Sequence, residues 1–84
     1  MIAFNGISAF HLSVPCVVFG DAPPGEPAFE LLVCAAEAGP LSTTAGFSLT
    51  VNHGLEALTR AQTIIVPSWR DPEERPPADL LAAL

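Results

Sequence analysis

Residue types that enzymes use for chemistry lie close together in the apolar segment at residues 10–20. This segment holds His11, Pro15 and Cys16 within a mostly hydrophobic run. An imidazole titrates near neutral pH and can both donate and accept hydrogen bonds, so His11 is a candidate pocket residue or a helix histidine at the rim of the core. A catalytic thiol needs an electropositive, exposed setting, which the sequence does not supply for Cys16. We therefore expect Cys16 to be buried as a small hydrophobe.

Two further groupings of reactive side chains lack the spacing that their chemistry needs. A zinc site normally shows Cys or His pairs a few residues apart, and no such pair occurs among His11, Cys16, Cys34 and His53. A hydrolase nucleophile normally stands on a G-x-S-x-G turn, which is absent around Ser68. We expect no metal, and we assign Cys34 to the core, although the end of a buried strand also allows a position in a ligand crevice.

Trp69, the single tryptophan, directly precedes a run of charged residues. The run extends from position 70 to position 75 and predicts a solvated loop. Trp69 itself follows a predicted strand, so it either covers a small ligand or a partner surface, or closes the edge of the core. Both alternatives stay open at this point.

The elements that must position these residues begin with a helix over residues 10–20. Ser8 is a candidate N-cap, Gly20 is suited to the C-terminus, and Pro15 predicts a kink or a late start. Helical spacing predicts a buried stripe of Phe10, Val14, Val17 and Val18. The phenylalanines assigned to the core are Phe10, Phe19, Phe29 and Phe47.

The rest of the chain alternates short apolar runs with turn residues. The predicted elements are strands at 2–4, 29–36 and 63–67, a loop at 21–28, a hairpin at 40–51, a helix at 52–61 capped by Asn52, a charged loop at 68–77 and a helix from Ala78. This order predicts an α/β fold with parallel central strands. Residues 63–67 read as an interior strand that lacks one neighbour, so we expect an incomplete domain that self-associates through an unpaired sheet edge.

Composition excludes several function classes. The 84 residues carry a formal net charge of −6, which is unsuited to contact with nucleic-acid phosphates. The first residues lack the basic and cleavage regions of a secretory signal, and no apolar run is long enough to span a bilayer. Two cysteines do not make a disulfide framework. We therefore predict a cytoplasmic protein with reduced thiols and no membrane contact.

Three segments, at residues 5–20, 29–58 and 63–69, together resemble the N-terminal half of a PfpI-type, class I glutamine amidotransferase-like domain. The closest likeness is to the version fused to an AraC-type helix-turn-helix module in bacterial transcriptional regulators. The resemblance implies a flavodoxin-like three-layer sandwich with a parallel central sheet and a β-hairpin insertion. Residues 1–84 would be one partial domain, truncated before the nucleophile elbow.

The resemblance also implies what the site contains. Family members carry a nucleophilic cysteine after the helix that begins here at Ala78, and this chain ends before that position. The acid that usually contacts this thiol falls at His11, and a second acidic position falls at Val17. Ser68 and Trp69 replace a Gly-Gly turn whose amides form an oxyanion hole. We therefore predict a non-catalytic segment with ligand-binding residues His11, Ser68 and Trp69 and no cofactor.

Three functions are compatible with these observations. The first is the N-terminal part of a small-ligand-sensing domain of an AraC-family regulator, without its DNA-binding module. The second is a truncated PfpI-type hydrolase or glyoxalase-like fragment. The third is a short product that has no independent function.

Overall fold

A computed structural model describes residues 1–20 and 30–84 of the chain, which form a small α/β unit. The α/β class predicted from the sequence is therefore confirmed. The predicted loop at 21–28 and Phe29 lie outside the described residues.

Two short parallel strands form the centre of the unit. Strand β1 (Ile2–Ala3) pairs with β2 (Cys34–Ala35), with Ile2 opposite Cys34. The amide of Cys34 donates to the carbonyl of Met1 and that of Ala36 to the carbonyl of Ala3, each at 2.8 Å. The predicted strands at 2–4 and 29–36 are thus present, but each is two residues long.

Each of these strands makes a further hydrogen bond on its other side. The Ile2 amide donates to the Ile65 carbonyl at 2.9 Å, and the Ala35 amide donates to the His53 carbonyl at 2.8 Å. The bonded segments therefore lie in the order His53, β2, β1, Ile65. The prediction of a strand at 63–67 is wrong in its detail, because this segment makes one bond to β1 and no ladder. The physical reason is that β1 is two residues long, and only Ile2 directs its backbone groups toward that side.

Helix α1 (Ala9–Pro15) follows β1 after a short turn. The Ser8 hydroxyl accepts a hydrogen bond from the His11 amide at 3.5 Å, which confirms the predicted N-cap. Pro15 is the last α-helical residue, and Cys16–Gly20 continue as a π-helical segment. Since proline has no amide hydrogen to donate, the regular ladder changes at this point.

The prediction that the apolar stripe of this helix is buried is wrong. Pro15 is buried and Leu12 packs against the core, whereas the four stripe residues face outward. A sheet of two short strands is too narrow to cover a second helical stripe as well. The exposed fractions are 70% for Phe10, 45% for Val14, 59% for Val17 and 61% for Val18.

The assignment of the phenylalanines to the core is likewise wrong for two of them. Phe10 lies on the exposed stripe, and Phe47 is 51% exposed at the hairpin. Phe19 is partly buried. Among the phenylalanines that the structure describes, Phe4 fills the core and is fully buried beside β1.

The predicted hairpin is confirmed. Strand β3 (Leu41–Ser42) pairs antiparallel with β4 (Ser48–Leu49), and Gly46 in the turn has a φ of 84°. The Thr43 hydroxyl donates to the Phe47 carbonyl at 2.7 Å and so closes the turn. The Gly6 amide donates to the Ser42 carbonyl at 3.0 Å, which fixes the hairpin to the turn after β1.

Two helical segments complete the described fold. The helix predicted at 52–61 is a 3₁₀ helix over Leu55–Arg60, and its N-cap is Gly54 rather than Asn52. The Gly54 amide donates to the Glu56 carboxylate at 3.0 Å, so a side chain from inside the first turn satisfies this donor. Helix α2 (Ala78–Ala83) begins where the sequence predicts and buries Leu80. Within residues 1–20 and 30–84, every helix is too short or too polar to span a bilayer.

Candidate functional site

Three chain segments leave the sheet region near one another and contribute to one polar cluster. Asn5 follows β1, Glu37 follows β2, and Arg70 follows the segment at 63–67. In open α/β sheets, ligands bind in the crevice outside the carboxyl ends of the strands. This cluster is therefore the candidate functional site of the described residues.

The Arg70 guanidinium joins the three segments. Its Nη1 donates to Glu37 Oε1 at 2.5 Å and to the Asn5 carbonyl at 2.9 Å. Its Nε donates to Glu74 Oε1 at 2.8 Å and its Nη2 to Glu74 Oε2 at 2.5 Å, which makes the pair with Glu74 bidentate. The Asn5 amide in turn donates to Glu37 Oε1 at 2.9 Å. We call Asn5, Glu37, Arg70 and Glu74 the arginine clamp.

Electrostatics in the arginine clamp favour the charged forms of its three ionisable side chains, Glu37, Arg70 and Glu74. Hydrogen bonding to Arg70 lowers the pKa of Glu37, and the Asn5 amide lowers it further. Hydrogen bonding to Arg70 also lowers the pKa of Glu74. The two carboxylates, Glu74 first and Glu37 second, raise the pKa of Arg70. One guanidinium thus holds two ionised carboxylates, with its own side chain 20% exposed.

The prediction of a fully solvated loop at 70–75 is wrong for Arg70 and Glu74. Both are partly buried, and Arg70 reaches Glu37, which lies 33 residues earlier in the chain. Local charge spacing does not reveal such a distant partner. The remaining charged residues of the run, Asp71, Glu73 and Arg75, are exposed as expected.

Trp69 packs directly behind the arginine clamp. Its ring centroid lies 4.8 Å from that of Phe4 with the planes at 53°, and its Nε1 donates to the Glu74 carbonyl at 3.0 Å. The Arg70 Cζ atom lies 4.5 Å from the Trp69 ring centroid, within cation–π range. These contacts correspond to the alternative in which Trp69 closes the edge of the core, and a ligand role for it stays a prediction.

The other two predicted ligand-binding residues are placed differently. His11 is exposed on α1, and its ring meets Phe10 edge-on at 5.6 Å. Ser68 is partly buried in the segment before Trp69. In the described part of the chain, no hydrogen bond or ring contact joins His11, Ser68 and Trp69 to one another.

The two thiols lie away from the arginine clamp. Cys34 is 1% exposed in the core, as predicted, and burial raises the pKa of its thiol. Cys16 is partly buried in a cleft of about 330 Å³ that Leu12, Val33 and Val51 also line. Over residues 1–20 and 30–84, no three His, Cys, Asp or Glu side chains cluster as metal ligands.

A larger cleft, of about 470 Å³, lies toward the amino ends of the strands. Its lining includes Met1, Leu32, Leu58 and Ile65, so it is separate from the arginine clamp. Sequence reasoning missed Asn5, Glu37 and Arg70 as site residues. The available signal was their position after predicted buried strands, directly for Asn5 and Glu37 and two residues further on for Arg70, where side chains of α/β sheets meet a ligand crevice.

Comparison with known proteins adds no relative to this description. No family model, curated protein or solved structure matches the chain. The resemblance to PfpI-type domains therefore rests on the residues quoted above, and the function drawn from it is a proposal.

Proposed function

We propose that this chain is the N-terminal part of a non-catalytic, PfpI-like ligand-sensing domain of an AraC-family transcriptional regulator. The observation that carries the proposal is the order of hydrogen-bonded segments, in which β1 lies between β2 and Ile65. Flavodoxin-like sheets have the strand order 2-1-3-4-5, and this order corresponds to the first three positions. The antiparallel hairpin between β2 and the 3₁₀ helix agrees with the implied insertion.

The location of the predicted ligand-binding residues supports the same proposal. In a sheet of this order, the switch point lies between the first and third strands, where a ligand binds. His11 belongs to the connection that follows β1, and Ser68 and Trp69 to the connection that follows residues 63–67. Arg70, in the second connection, donates to the carbonyl of Asn5, in the first. The ligand would be a small molecule held by these residues.

A non-catalytic role is supported by the positions of the thiols. Cys34 is packed in the core, where burial raises the pKa of the thiol and so disfavours the reactive thiolate. Cys16 lines the separate cleft that Leu12, Val33 and Val51 also line. Neither is a member of the arginine clamp, so neither is positioned as a nucleophile at the proposed ligand site. The chain's acidity assigns DNA contact to another module.

Determining the coding sequence on the 3′ side of the codon for Leu84, together with the mass of the native protein, tests this proposal. We expect a continuation that contains two helix-turn-helix units. A continuation with a cysteine on a strand-to-helix turn followed by the chain end would instead support a PfpI-type hydrolase or glyoxalase-like enzyme. A native mass equal to that of the 84 residues would exclude the regulator assignment.

An activity measurement tests the non-catalytic part separately. Methylglyoxal consumption by the purified chain is compared with that of Cys16→Ser and Cys34→Ser variants. We expect all three proteins to match the buffer rate. Turnover that disappears in either variant would show that a thiol of this chain is a nucleophile after all.

A further inference from the structure

The turn at residues 5–6, which follows β1, makes hydrogen bonds in two directions. On one side it belongs to the arginine clamp, because the Asn5 amide donates to Glu37 and the Asn5 carbonyl accepts from Arg70, each at 2.9 Å. The stem of Arg70 also runs along the turn, since a Cβ built on Gly6 would lie 3.6 Å from Arg70 Cδ. Both the amide and the carbonyl of Asn5 are thus fixed by side chains from distant segments.

On its other side the same turn holds the hairpin. The side-chain oxygen Oδ1 of Asn5 accepts from the Ser42 amide at 3.0 Å, and the Gly6 amide donates to the Ser42 carbonyl and hydroxyl, both at 3.0 Å. The next residue continues the contact, because the Ile7 carbonyl accepts from the Thr44 amide at 3.0 Å. Asn5 therefore bonds to the arginine clamp through its backbone and to the hairpin through its side chain.

Polar contacts hold the outer part of the hairpin, whereas burial holds its base. Leu41 is fully buried and Leu49 packs partly against the core, so these two residues anchor the base. Beyond them, residues 44–48 are exposed, and Phe47 is 51% exposed. Segments with few buried apolar contacts open locally at a free energy below that of global unfolding. We therefore expect the outer part of the hairpin to open while β1 and β2 stay paired.

We propose that Asn5 couples the arginine clamp to the hairpin, so that loosening the clamp releases the outer part of the hairpin from the turn. The bonds from Glu37 and Arg70 fix the backbone of Asn5, and this fixed backbone holds Oδ1 in reach of the Ser42 amide. When the clamp opens, Asn5 regains conformational freedom, and its bond to Ser42 then forms against a larger entropy cost. A group that competes for Arg70 or Glu37 would loosen the hairpin without touching it. The coupling goes beyond the proposed function and does not rest on it.

Native-state hydrogen exchange of the purified chain, followed by NMR at several low urea concentrations, measures opening of the hairpin. The reporter is the Thr44 amide, because neither it nor its acceptor on Ile7 belongs to the arginine clamp. We expect this amide to exchange by local opening, at a rate that hardly depends on urea. The amides of Cys34 and Ala36, which lie in the ladder between β1 and β2, should exchange through global unfolding. Exchange of Thr44 through global unfolding alone would overturn the proposal, because the hairpin would then not open separately.

Substitutions on the two sides of the turn test the coupling. Arg70→Met opens the arginine clamp but leaves Oδ1 of Asn5, whereas Asn5→Ala removes Oδ1 but leaves the backbone bonds to the clamp. We expect each variant to accelerate the local exchange of the Thr44 amide by about 3- to 10-fold, as the loss of one hydrogen bond does. Asn52→Ala is the matched control and should leave Thr44 unchanged, since Asn52 is exposed and its side chain makes no hydrogen bond within the described residues. An unchanged local rate in Arg70→Met would overturn the proposal.

The double variant shows whether the effect passes through the Asn5 side chain. If it does, Arg70→Met has little further effect once Asn5→Ala has removed Oδ1. We therefore expect the Thr44 amide of the double variant to exchange about as fast as in the faster single variant. Accelerations that multiply in full would indicate two independent contacts and would exclude the coupling. A general loss of stability accelerates the amides of Cys34 and Ala36 but not the urea-independent exchange of Thr44, so the two effects are measured separately.

Discussion

Arg70 makes more long-range polar contacts than His11 or Cys16, the residues whose types first suggest chemistry in this sequence. It binds Glu37, Glu74 and the Asn5 carbonyl, and so connects the segments that follow β1, β2 and residues 63–67. Its spacing to Glu74, four positions along the chain, is visible in the sequence. Its contact with Glu37 is not, because that pairing exists only once two parallel strands have brought their ends together. His11 and Cys16 are candidates by residue type alone, and residue type does not show where a side chain lies in the fold.

Replacing Arg70 by methionine tests the stabilising role of the arginine clamp. Arg70→Met keeps an apolar stem beside Trp69 but leaves two carboxylates without their hydrogen-bond donor, so we expect a lower unfolding free energy near neutral pH. The direction of the pH dependence follows from the lowered pKa values of the two carboxyl groups. Folding holds the pKa values of Glu37 and Glu74 below 4.5, so their stabilisation is present above that pH and is lost as the pH falls through the lowered values.

Urea unfolding between about pH 7 and about pH 3 measures both effects. The unmodified chain should lose stability across the acid part of this range, and Arg70→Met should show a flatter profile because its carboxylates titrate nearer their ordinary values. Arg75→Met is the matched control, since Arg75 is exposed and makes no ion pair among the described residues. Equal pH profiles for Arg70→Met and the unmodified chain would contradict the arginine clamp.

At the scale of the elements, local signals predicted those parts whose structure is decided locally. The hairpin and the start of α2 follow from turn residues and a proline, and both occur where expected. The prediction that the apolar stripe at residues 10–18 is buried failed, because burial depends on whether a sheet is wide enough to cover the stripe. The prediction of a strand at 63–67 failed for a related reason. A five-residue ladder requires a partner of matching length, and β1 has two residues.

The hairpin turn offers a test of an element held by local conformation. Gly46 has a φ of 84°, and a Cβ there would meet nothing within 4 Å, so the cost of a side chain is conformational alone. We expect Gly46→Ala to lower the unfolding free energy by about 1–2 kcal/mol. Gly46→Asn should recover much of this loss, because asparagine tolerates the left-handed region. Thermal unfolding of the three proteins decides, and equal losses for alanine and asparagine would speak against the turn.

At the scale of the whole molecule, few of the large apolar side chains that the structure describes are fully buried, although the sequence is rich in them. Half of the residues are hydrophobic, yet the buried core is a small cluster around β1 and β2 that includes Phe4, Ile7 and Leu41. Large apolar side chains remain exposed on α1, at the hairpin, on the edge at 63–67 and on α2. Composition indicated a globular chain but not this division, because composition does not show how much cover two short strands provide.

The cysteines report whether this small core behaves as a folded unit. Cys34 lies within it at 1% exposure with its thiol pKa raised by burial, whereas Cys16 is partly exposed. Labelling with a thiol reagent near pH 8 should therefore be biphasic, with Cys34 slower than Cys16 by about 100-fold or more, because its reaction requires opening of the core. The Cys16→Ser variant should retain the slow phase alone, and urea should merge the phases. If Cys34 reacted as fast as Cys16 in native buffer, the core around β1 and β2 would not persist in solution. A ligand site at the strand ends would then have no stable scaffold.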